Sequence, residues 1–286
     1  MPNNSPIESV LWDDWHVVVD LARLRQFGRH VTHLLGRRIT LEMDSRTDSV
    51  VAQLDDARIE AVQIKYGYVW ICLGKPMRGI VEFAECRDTD RLVATAGSIR
   101  VAVSGLRAVE NFLDLSHLAF VHAGYLGEEP FTEIKQYSVE SSLEGGVLAT
   151  GCSVYQPKAS PIADQGFDVD YIYAVVRPYV VVLYKANPVE MDRKDVIALF
   201  VQPETEESCV AHMLTCYLKH GIDPAAVRNF QQFIFGQDRP ILENQVPKRL
   251  PLSPRSEIQV RADVACATYR RWLGESGVRF GAIPAA

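Results

Sequence analysis

Short apolar or alternating runs dominate the first quarter of the chain, and this pattern predicts β-strands. Val, Ile and aromatic residues recur over stretches of five or six positions, which favours strands over helices. Between the first two runs, leucines at looser spacing in residues 21–35 indicate a short helix, with His30 and His33 on its solvated side. The predicted strands are residues 15–19, 39–43, 50–54 and 68–73.

The middle of the chain has the pattern of an antiparallel sheet. Residues 91–103 predict one or two strands, and residues 125–130 predict a loop. From 132 to 220, runs rich in Val, Ile, Tyr and Thr alternate with short turn signals, and no helical period separates them. Because successive strands with short connections pair antiparallel, we expect one such sheet over this part of the chain.

Two helical patterns follow the predicted sheet. Asp223 and Pro224 combine an N-cap with a first-turn proline, and Pro240 is expected to kink or interrupt the helix that they begin. A last helix is predicted over residues 260–273, ending at Gly274. The predicted layout is a β-rich N-terminal part followed by an antiparallel sheet with helices before and after it. This layout is typical of an α+β protein. Apolar residues of the first helix recur at Val227, Phe230, Phe233 and Ile234.

Composition and charge narrow the class of protein. With 286 residues, 48% of them apolar, the chain can bury a large core as one domain or two. The formal net charge of −6 argues against nucleic acid or an anionic membrane as a partner, because both attract basic surfaces. Six cysteines without a CxxC pair, and an N-terminus unlike a signal peptide, predict a reduced, cytoplasmic protein. The most apolar stretch, residues 171–184, is too short to span a bilayer.

Residues 111–122 place two histidines and an acid in an otherwise apolar segment. At about 100° per residue its apolar side chains cover every side of a helix, and a helix that is apolar all round is buried. Asn111, Asp114 and His117 then form one polar stripe at i, i+3 and i+6. Unpaired polar groups in such a position cost roughly 2–7 kcal/mol, so these side chains need partners, and a metal ion is one candidate.

A shared metal ion would need a second histidine and a third ligand. His122 lies five positions after His117, about 140° around an ideal helix, so both reach one ion only if the helix bulges or ends, with Gly124 as a candidate terminator. A core helix with two satisfied histidines explains the segment about equally well. Asp238, beside the expected interruption at Pro240, is the candidate third ligand. This set is the facial triad of non-haem iron(II) oxygenases, and a zinc hydrolase could use it too.

Four segments resemble the Rieske-type non-haem iron oxygenases, the family of the ring-hydroxylating oxygenase alpha subunits. Residues 110–122 (ENFLDLSHLAFVH) are similar to that family's iron-binding helix, and residues 235–245 (FGQDRPILENQ) to its carboxylate-ligand segment. Residues 269–273 resemble a C-terminal helix, and residues 65–74 resemble the strand that closes the Rieske domain. The matches occur in the family's order along nearly the whole chain, which favours a metal site over a purely structural helix.

The resemblance implies a domain organisation and a set of metal ligands. Residues 1–80 would be a small β-rich remnant of a Rieske domain, and residues 81–286 a catalytic domain of the helix-grip (START-like) type with an antiparallel sheet. His117, His122 and Asp238 would bind mononuclear non-haem iron(II), which reacts with dioxygen.

Two further polar residues acquire roles from the same resemblance. Asp114 would connect a ligand histidine to a histidine of an iron-sulfur cluster across a subunit boundary, so that electrons reach the iron through it. Such an acid also fixes the tautomer of the ligand histidine. Asn111 matches a position near the iron that is not usually a ligand.

The N-terminal part departs from the family at the cluster itself. A Rieske cluster is held by two cysteines and two histidines, yet residues 15–70 contain no cysteine. The family's cluster loops would fall between Val51 and Lys65, where several dozen residues are missing by comparison. Cys209 and His212 spell CxxH in the later sheet, which we interpret as an accidental strand sequence. We therefore expect no iron-sulfur cluster in this chain and an electron donor on another polypeptide.

Within the family, the motif segments look most like the bacterial methylxanthine N-demethylases, in particular a 7-methylxanthine demethylase component. The implied reaction is hydroxylation of an N-methyl group with release of formaldehyde, with electrons from a separate reductase that carries a Rieske 2Fe-2S cluster, flavin and the NADH site. A homotrimer and a glutathione S-transferase-like accessory subunit are the implied assembly. The alternatives are an O-demethylase or ring hydroxylase of the same family, or a non-catalytic scaffold subunit.

A methylxanthine is planar and would suit a pocket with aromatic walls. Five aromatic residues lie close in sequence to the candidate ligands, although for each a place in the core is the more common role. They are Phe112, Phe120, Tyr125, Phe233 and Phe235.

Overall fold

The computed structural model describes residues 7–44, 46–142, 145–158 and 166–285. The described helices are α1 (Ser9–Trp12), α2 (Leu21–Phe27), α3 (Gly105–Leu113), α4 (Leu118–Val121), α5 (Pro224–Glu243) and α6 (Val264–Glu275). The described strands are β1 (His16–Asp20), β2 (Arg29–Leu34), β3 (Arg37–Asp44), β4 (Ser49–Leu54), β5 (Ala57–Ile59), β6 (Ala61–Lys65), β7 (Tyr68–Cys72), β8 (Arg91–Val101), β9 (Ser138–Ser142), β10 (Gly146–Gln156), β11 (Phe167–Arg177), β12 (Val180–Ala186), β13 (Lys194–Thr205), β14 (Ser208–Leu218), β15 (Leu250–Pro251) and β16 (Ala282–Ile283).

A seven-stranded antiparallel sheet forms the centre of the fold, in the order β8-β14-β13-β12-β11-β10-β9. This confirms the predicted antiparallel sheet and the α+β class. Alternate residues of its strands enter two separate hydrophobic clusters: Val181 and Ile197 belong to one, Val182 and Ala198 to the other. Because successive side chains of a strand point to opposite faces, the sheet is covered on both sides.

Helices α3, α5 and α6 cover one face of this sheet, in the helix-grip arrangement that the resemblance implies. Helix α5 begins where predicted, since the Asp223 carboxylate accepts a hydrogen bond from the backbone N–H of Ala225 at 3.0 Å. Its buried residues recur every three or four positions and so form one stripe on the helix. They are Val227, Gln231, Phe235, Asp238 and Leu242.

The N-terminal strands cover the opposite face of the sheet. The Trp70 ring lies 4.7 Å from that of Phe200, and the Tyr68 hydroxyl donates to the carbonyl of Met213 at 2.7 Å. Strand β7 pairs with β1 and β6, and β2 to β5 form a second, four-stranded sheet. The four predicted strands of this region are confirmed as β1, β3, β4 and β7, with ends shifted by a residue or two.

The helix predicted over residues 21–35 is correct only for its first half. Helix α2 ends at Gly28, whose φ of 70° terminates it in the left-handed conformation. Strand β2 follows and buries Thr32 and Leu34 on one side, while His33 is exposed on the other and His30 is half-buried. The alternation of the second half therefore belonged to a strand.

A two-residue hairpin occupies the place where the resemblance would put the cluster loops. Strands β4 and β5 pair across Asp55 and Asp56, which have φ values of 46° and 71°. Positive φ at both central residues is the requirement of the type I′ turn, which matches the twist of a tight hairpin. Between Val51 and Lys65, the strands are therefore joined only by this turn and by Glu60.

The C-terminal helix agrees with its prediction to within a few residues. A 3₁₀ turn over Arg261–Asp263 precedes α6, because the Asp263 carboxylate accepts from the backbone N–H of Val260 at 2.8 Å. Helix α6 then runs to Glu275 rather than ending at Gly274. None of the helices in the described part of the chain combines the length and apolarity needed to cross a membrane.

Candidate metal centre

The prediction of one helix over residues 111–122 is wrong. This segment contains the end of helix α3, a break and the short helix α4. Helix α3 ends at Leu113, and the backbone of the next residue, Asp114, is extended (φ −73°, ψ 121°). The Asp114 Oδ1 accepts from the backbone N–H of Ser116 at 2.7 Å, a local turn that competes with the helix. Helix α4 then starts after His117 and ends before His122. The predicted polar stripe on a continuous helix is therefore wrong.

Two further expectations for this segment are also corrected. Phe120 is 63% exposed, so the segment is not buried on all sides. Gly124 does not terminate a helix that contains both histidines, because α4 has already ended at Val121. The alternative that the helix ends between the histidines is the one that the structure adopts, and it allows both rings to face one point.

The side chains of His117, His122 and Asp238 meet at one place. The two Nε2 atoms are 3.2 Å apart, and Asp238 Oδ1 lies 3.3 Å from that of His117 and 3.1 Å from that of His122. Three atoms with these separations can each lie about 2.1 Å from a common point, the bond length of a divalent metal with nitrogen or oxygen. In the described part of the chain they are the only group of at least three such residues so close together.

Asp238 reaches this point from a regular helix, which corrects the expected interruption at Pro240. Helix α5 is continuous through Pro240, and the backbone N–H of Asn244 donates to the Pro240 carbonyl at 3.2 Å. The proline removes only the bond that its own N–H would have made, and the helix ends three residues later. Asp238 points inward because it belongs to the buried stripe of α5.

The outer nitrogen of each histidine is held by a hydrogen-bond acceptor. His117 Nδ1 donates to Asp114 Oδ2 at 3.3 Å, and His122 Nδ1 donates to Gln237 Oε1 at 2.9 Å. Each bond leaves the Nε2 lone pair of a neutral ring directed at the candidate centre. The role of Gln237 was missed in the sequence, where its position next to Asp238 was the available signal.

The two carboxylates beside the histidines, Asp114 and Asp238, make the centre favourable for a positive charge. Although burial opposes it, contacts with Asp114 and Asp238 raise the pKa of His117 to about 9. Burial likewise opposes ionisation of Asp238, but the two histidines hold its pKa down at about 2. Asp238 Oδ1 is buried and accepts no hydrogen bond. Two imidazole nitrogens and a carboxylate oxygen that converge in this way fit a divalent metal ion.

The CxxH sequence of β14 has a structural role. His212 is buried in the sheet, with Nδ1 at 2.7 Å from the Ser98 hydroxyl and Nε2 at 3.1 Å from Gln202 Oε1. Both ring nitrogens are therefore occupied by protein partners. Cys209 lies in the same strand, and its interpretation as ordinary strand sequence is confirmed.

A cavity opens beside the three candidate ligands, between the sheet and the helices. Phe112 and Phe235 line it, as considered from the sequence, whereas Phe120 and Phe233 are exposed and Tyr125 packs on Phe233 at 4.8 Å between ring centroids. Sheet residues distant in sequence complete the wall, and no local pattern could have indicated them. The polar and aromatic residues that sequence reasoning missed are Tyr171, Tyr173, Lys185, Phe230 and Gln231.

A second cavity is lined by Asp114. Asn111 lines both cavities. The wall of the second cavity includes an ion network in which Arg107 and Arg270 bind Glu257 at 2.6 and 2.5 Å. The Asp114 carboxylate thus touches a candidate ligand histidine while it also lines a separate polar cavity, which connects the candidate centre with another part of the surface.

Replacing Gln237 with leucine is expected to weaken binding of a divalent metal ion about 10- to 100-fold, because the His122 ring loses the bond that sets its tautomer. Competition with a chelator measures this affinity. The matched control is Gln232→Leu on the same helix, which removes a bond to the Ala96 carbonyl at 3.1 Å. Equal metal affinity in both variants would contradict the role of Gln237.

The chain is similar to known demethylases in sequence and in fold. A family model described as the vanillate O-demethylase oxygenase C-terminal domain matches residues 102–277. A probable methylxanthine N7-demethylase of Pseudomonas sp. (strain TJI-51) is 42% identical over 96% of this chain and 97% of that protein. A methylxanthine N3-demethylase of Pseudomonas putida is 26% identical over 74% of this chain and 59% of that protein. The solved structure of NdmB from Pseudomonas putida CBB5 superposes with a TM-score of 0.74 at 20% identity, covering 96% of this chain and 95% of that one.

Proposed function

Because this chain belongs to the Rieske-type non-haem iron oxygenases, in the branch of the methylxanthine N-demethylases, we propose that it is an oxygenase component that removes an N-methyl group from a methylxanthine. The observation that carries the proposal is the convergence of His117, His122 and Asp238 at the wall of a mostly apolar cavity. The net reaction converts N–CH₃, O₂, two electrons and two protons into N–H, formaldehyde and water.

His117, His122 and Asp238 would hold iron(II) as a facial triad, which leaves other coordination positions open. Bound iron(II) would supply the activation of dioxygen for hydroxylation of the methyl carbon. Asp114 and Gln237 keep both histidine Nε2 atoms directed at the centre, so the ligand set is preorganised. Asn111 lies beside the ligands in the cavity wall without being one of them.

The cavity walls would position the planar substrate and exclude water. Phe112 and Tyr173 meet edge to face with ring centroids 6.0 Å apart, and both line the cavity near the candidate ligands. Flat apolar walls favour a bicyclic ring held in one plane, with a methyl group turned toward the metal. The protein thereby selects which N-methyl carbon is near the open coordination positions.

Electrons would enter from another protein through Asp114. The first cysteine of the chain is Cys72, so residues 1–71 lack the cysteine ligands that a Rieske cluster needs. We propose residues 1–80 as a remnant Rieske domain and residues 81–286 as the catalytic domain.

The electron donor would be a reductase with its own Rieske cluster, flavin and NADH site. A homotrimer and a glutathione S-transferase-like subunit remain proposals for the assembly.

The second cavity is where the donor would dock, since it exposes the carboxylate that contacts His117. Three large apolar side chains at or next to this cavity are open to solvent: Val246 is 90% exposed, Ile258 97% and Val260 62%. Exposed apolar side chains around a polar depression are typical of protein interaction sites. We propose that they form the apolar part of the reductase contact.

Replacing Ile258 with glutamate is expected to raise the KM for the reductase about tenfold, a loss on the order of 1.4 kcal/mol in binding. The kcat at saturating reductase should stay unchanged, because Ile258 touches no candidate ligand of the metal. Val31→Glu places the same charge on the exposed surface of β2 and serves as the control. An identical KM in the two variants would show that the reductase docks elsewhere.

Reconstitution tests the proposed function directly. The iron-loaded chain is mixed with NADH, a methylxanthine and either a Rieske-bearing reductase or one that has only a plant-type cluster. Formaldehyde and demethylated product are expected in equal amounts, and only with the first reductase. NADH-driven turnover with dioxygen in the absence of any iron-sulfur protein would overturn the proposal. A parallel panel of methoxyarenes separates N-demethylation from O-demethylation, since only one class should yield formaldehyde.

A further inference from the structure

The cavity beside the candidate metal ligands has a polar end, formed by sheet residues that do not hold the metal. Lys185 lines it and is only 5% exposed, and it is the only lysine or arginine among the described residues that do so. The register places Lys185 between Tyr171 of β11 and Asp195 of β13. Tyr171 also lines the cavity, so the two neighbouring strands present a cation and an aromatic ring at the same level of the sheet.

We propose that Lys185 binds the substrate by donating a hydrogen bond from Nζ to a ring carbonyl oxygen, and that it selects methylxanthines which keep an ionisable ring N–H. This inference rests on the proposed function and names the substrate class of the same site. It assigns the discrimination to the sheet, on which none of the candidate metal ligands lies.

Gln231 shows how far the cavity extends from Asp238 along α5. Gln231 and Asp238 belong to the same buried stripe of α5, seven residues or about 10 Å apart along the helix axis. Gln231 also lines the cavity and donates to the Tyr217 hydroxyl at 2.8 Å, on the sheet beside Asp195. A bicyclic ring can span this distance, with a methyl group at Asp238 and a carbonyl oxygen at the polar end.

The charge of Lys185 suits a substrate that can become an anion. Burial lowers the pKa of Lys185 to about 7, although Asp195 opposes this shift. A xanthine N–H beside ring carbonyls is weakly acidic, and its anion places negative charge on the carbonyl oxygens. Such an oxygen would stabilise the ammonium form of Lys185 through a charge-assisted hydrogen bond. Methylation of these nitrogens removes the acidic proton, so the substrate can no longer form the anion that strengthens the hydrogen bond to Lys185.

Asp195 is held in place independently of the substrate. Its Oδ1 accepts from the backbone N–H of Leu218 and its Oδ2 from Asn187 Nδ2, both at 2.9 Å. Asp195 therefore supports Lys185 electrostatically from a fixed position. A purely structural role for Lys185, as the charge partner of Asp195, is the competing explanation, and a double variant that removes both charges separates the two.

Anaerobic calorimetric titration of the iron-loaded chain, without reductase, measures binding apart from turnover. The wild-type protein should bind 7-methylxanthine, which keeps two ring N–H groups, more tightly than caffeine, which keeps none. Lys185→Met should weaken 7-methylxanthine about 10- to 100-fold and caffeine by less than about threefold. The matched control Lys135→Met, which removes an exposed lysine that pairs with Asp168 at 3.1 Å, should leave both affinities unchanged.

The double variant Lys185→Met with Asp195→Asn removes the buried pair without leaving an uncompensated charge. It should fold and still bind 7-methylxanthine weakly; recovery of tight binding would assign Lys185 a structural role and overturn the inference. Equal wild-type affinity for both ligands would overturn it without any variant. If the wild-type protein releases no formaldehyde from any methylxanthine, the proposed function fails. If it does and Lys185→Met keeps the wild-type ratio, only this inference fails.

Discussion

Replacing Asp238 with alanine is expected to remove bound iron and abolish demethylation while the chain stays folded. The loss of one of three ligands should lower iron affinity by more than about 100-fold, beyond the effect of losing an outer hydrogen-bond partner. The fold should persist, because the buried Asp238 Oδ1 accepts no hydrogen bond that alanine would sacrifice. Elemental analysis after gel filtration measures the iron, and formaldehyde release measures the activity.

Glu243→Ala is the matched control, since Glu243 is the other acidic residue of α5 and bonds to Arg239 at 3.0 Å rather than to a histidine. It should keep iron and activity. The pair of variants also separates an enzyme from a scaffold. If the Asp238 variant lost its iron but the demethylation pathway still worked, the chain would act as a non-catalytic subunit, and the proposed function would be wrong.

Replacing Asp114 with asparagine is expected to leave iron bound but to lower reductase-driven turnover by at least about 100-fold. Asparagine can still accept the hydrogen bond from His117 Nδ1, so the ligand geometry should survive, whereas the charge between the second cavity and the histidine is lost. Iron content and NADH-dependent formaldehyde release are measured on the same sample. Unchanged turnover would mean that electrons take another route.

Hydrogen peroxide distinguishes an electron-transfer defect from a damaged site. One molecule of peroxide supplies the oxygen atom and both electrons for N-methyl hydroxylation, with water as the other product, so it needs no reductase. The Asp114 variant should therefore still release formaldehyde with peroxide at a rate close to wild type. Asp263→Asn is the control, because Asp263 lines the same cavity but bonds to the backbone of Val260 instead of His117.

The candidate ligands could be found in the sequence because each lies in a short segment whose residue types point to metal chemistry. His117 and His122 stand in an apolar segment that demands partners for them, and Asp238 follows at a recognisable carboxylate segment. The backbone geometry that brings these three side chains to one point was predicted less well. The break at Asp114 depends on a side-chain bond to Ser116, which a helical pattern does not reveal.

The cavity could not be predicted in the same way. Phe112 and Phe235 were identified because they neighbour the candidate ligands in sequence, but the same criterion also suggested Phe120 and Phe233, which are exposed. Nearness along a helix does not fix which side faces inward when both sides are apolar. The stripe that places Gln231 and Phe235 inward is set by packing against the sheet.

The sequence by itself determined the antiparallel sheet, the start of α5, the family, and the absence of cysteines where a Rieske cluster would need them, since each depends on local pattern or on residue identity. Only the tertiary structure decided that Asp114 contacts a histidine and lines a second cavity, that Gln237 orients His122, and that Lys185 lines the first cavity. These contacts join residues on separate elements, and their geometry arises from the packing of helices on the sheet, which no local pattern encodes.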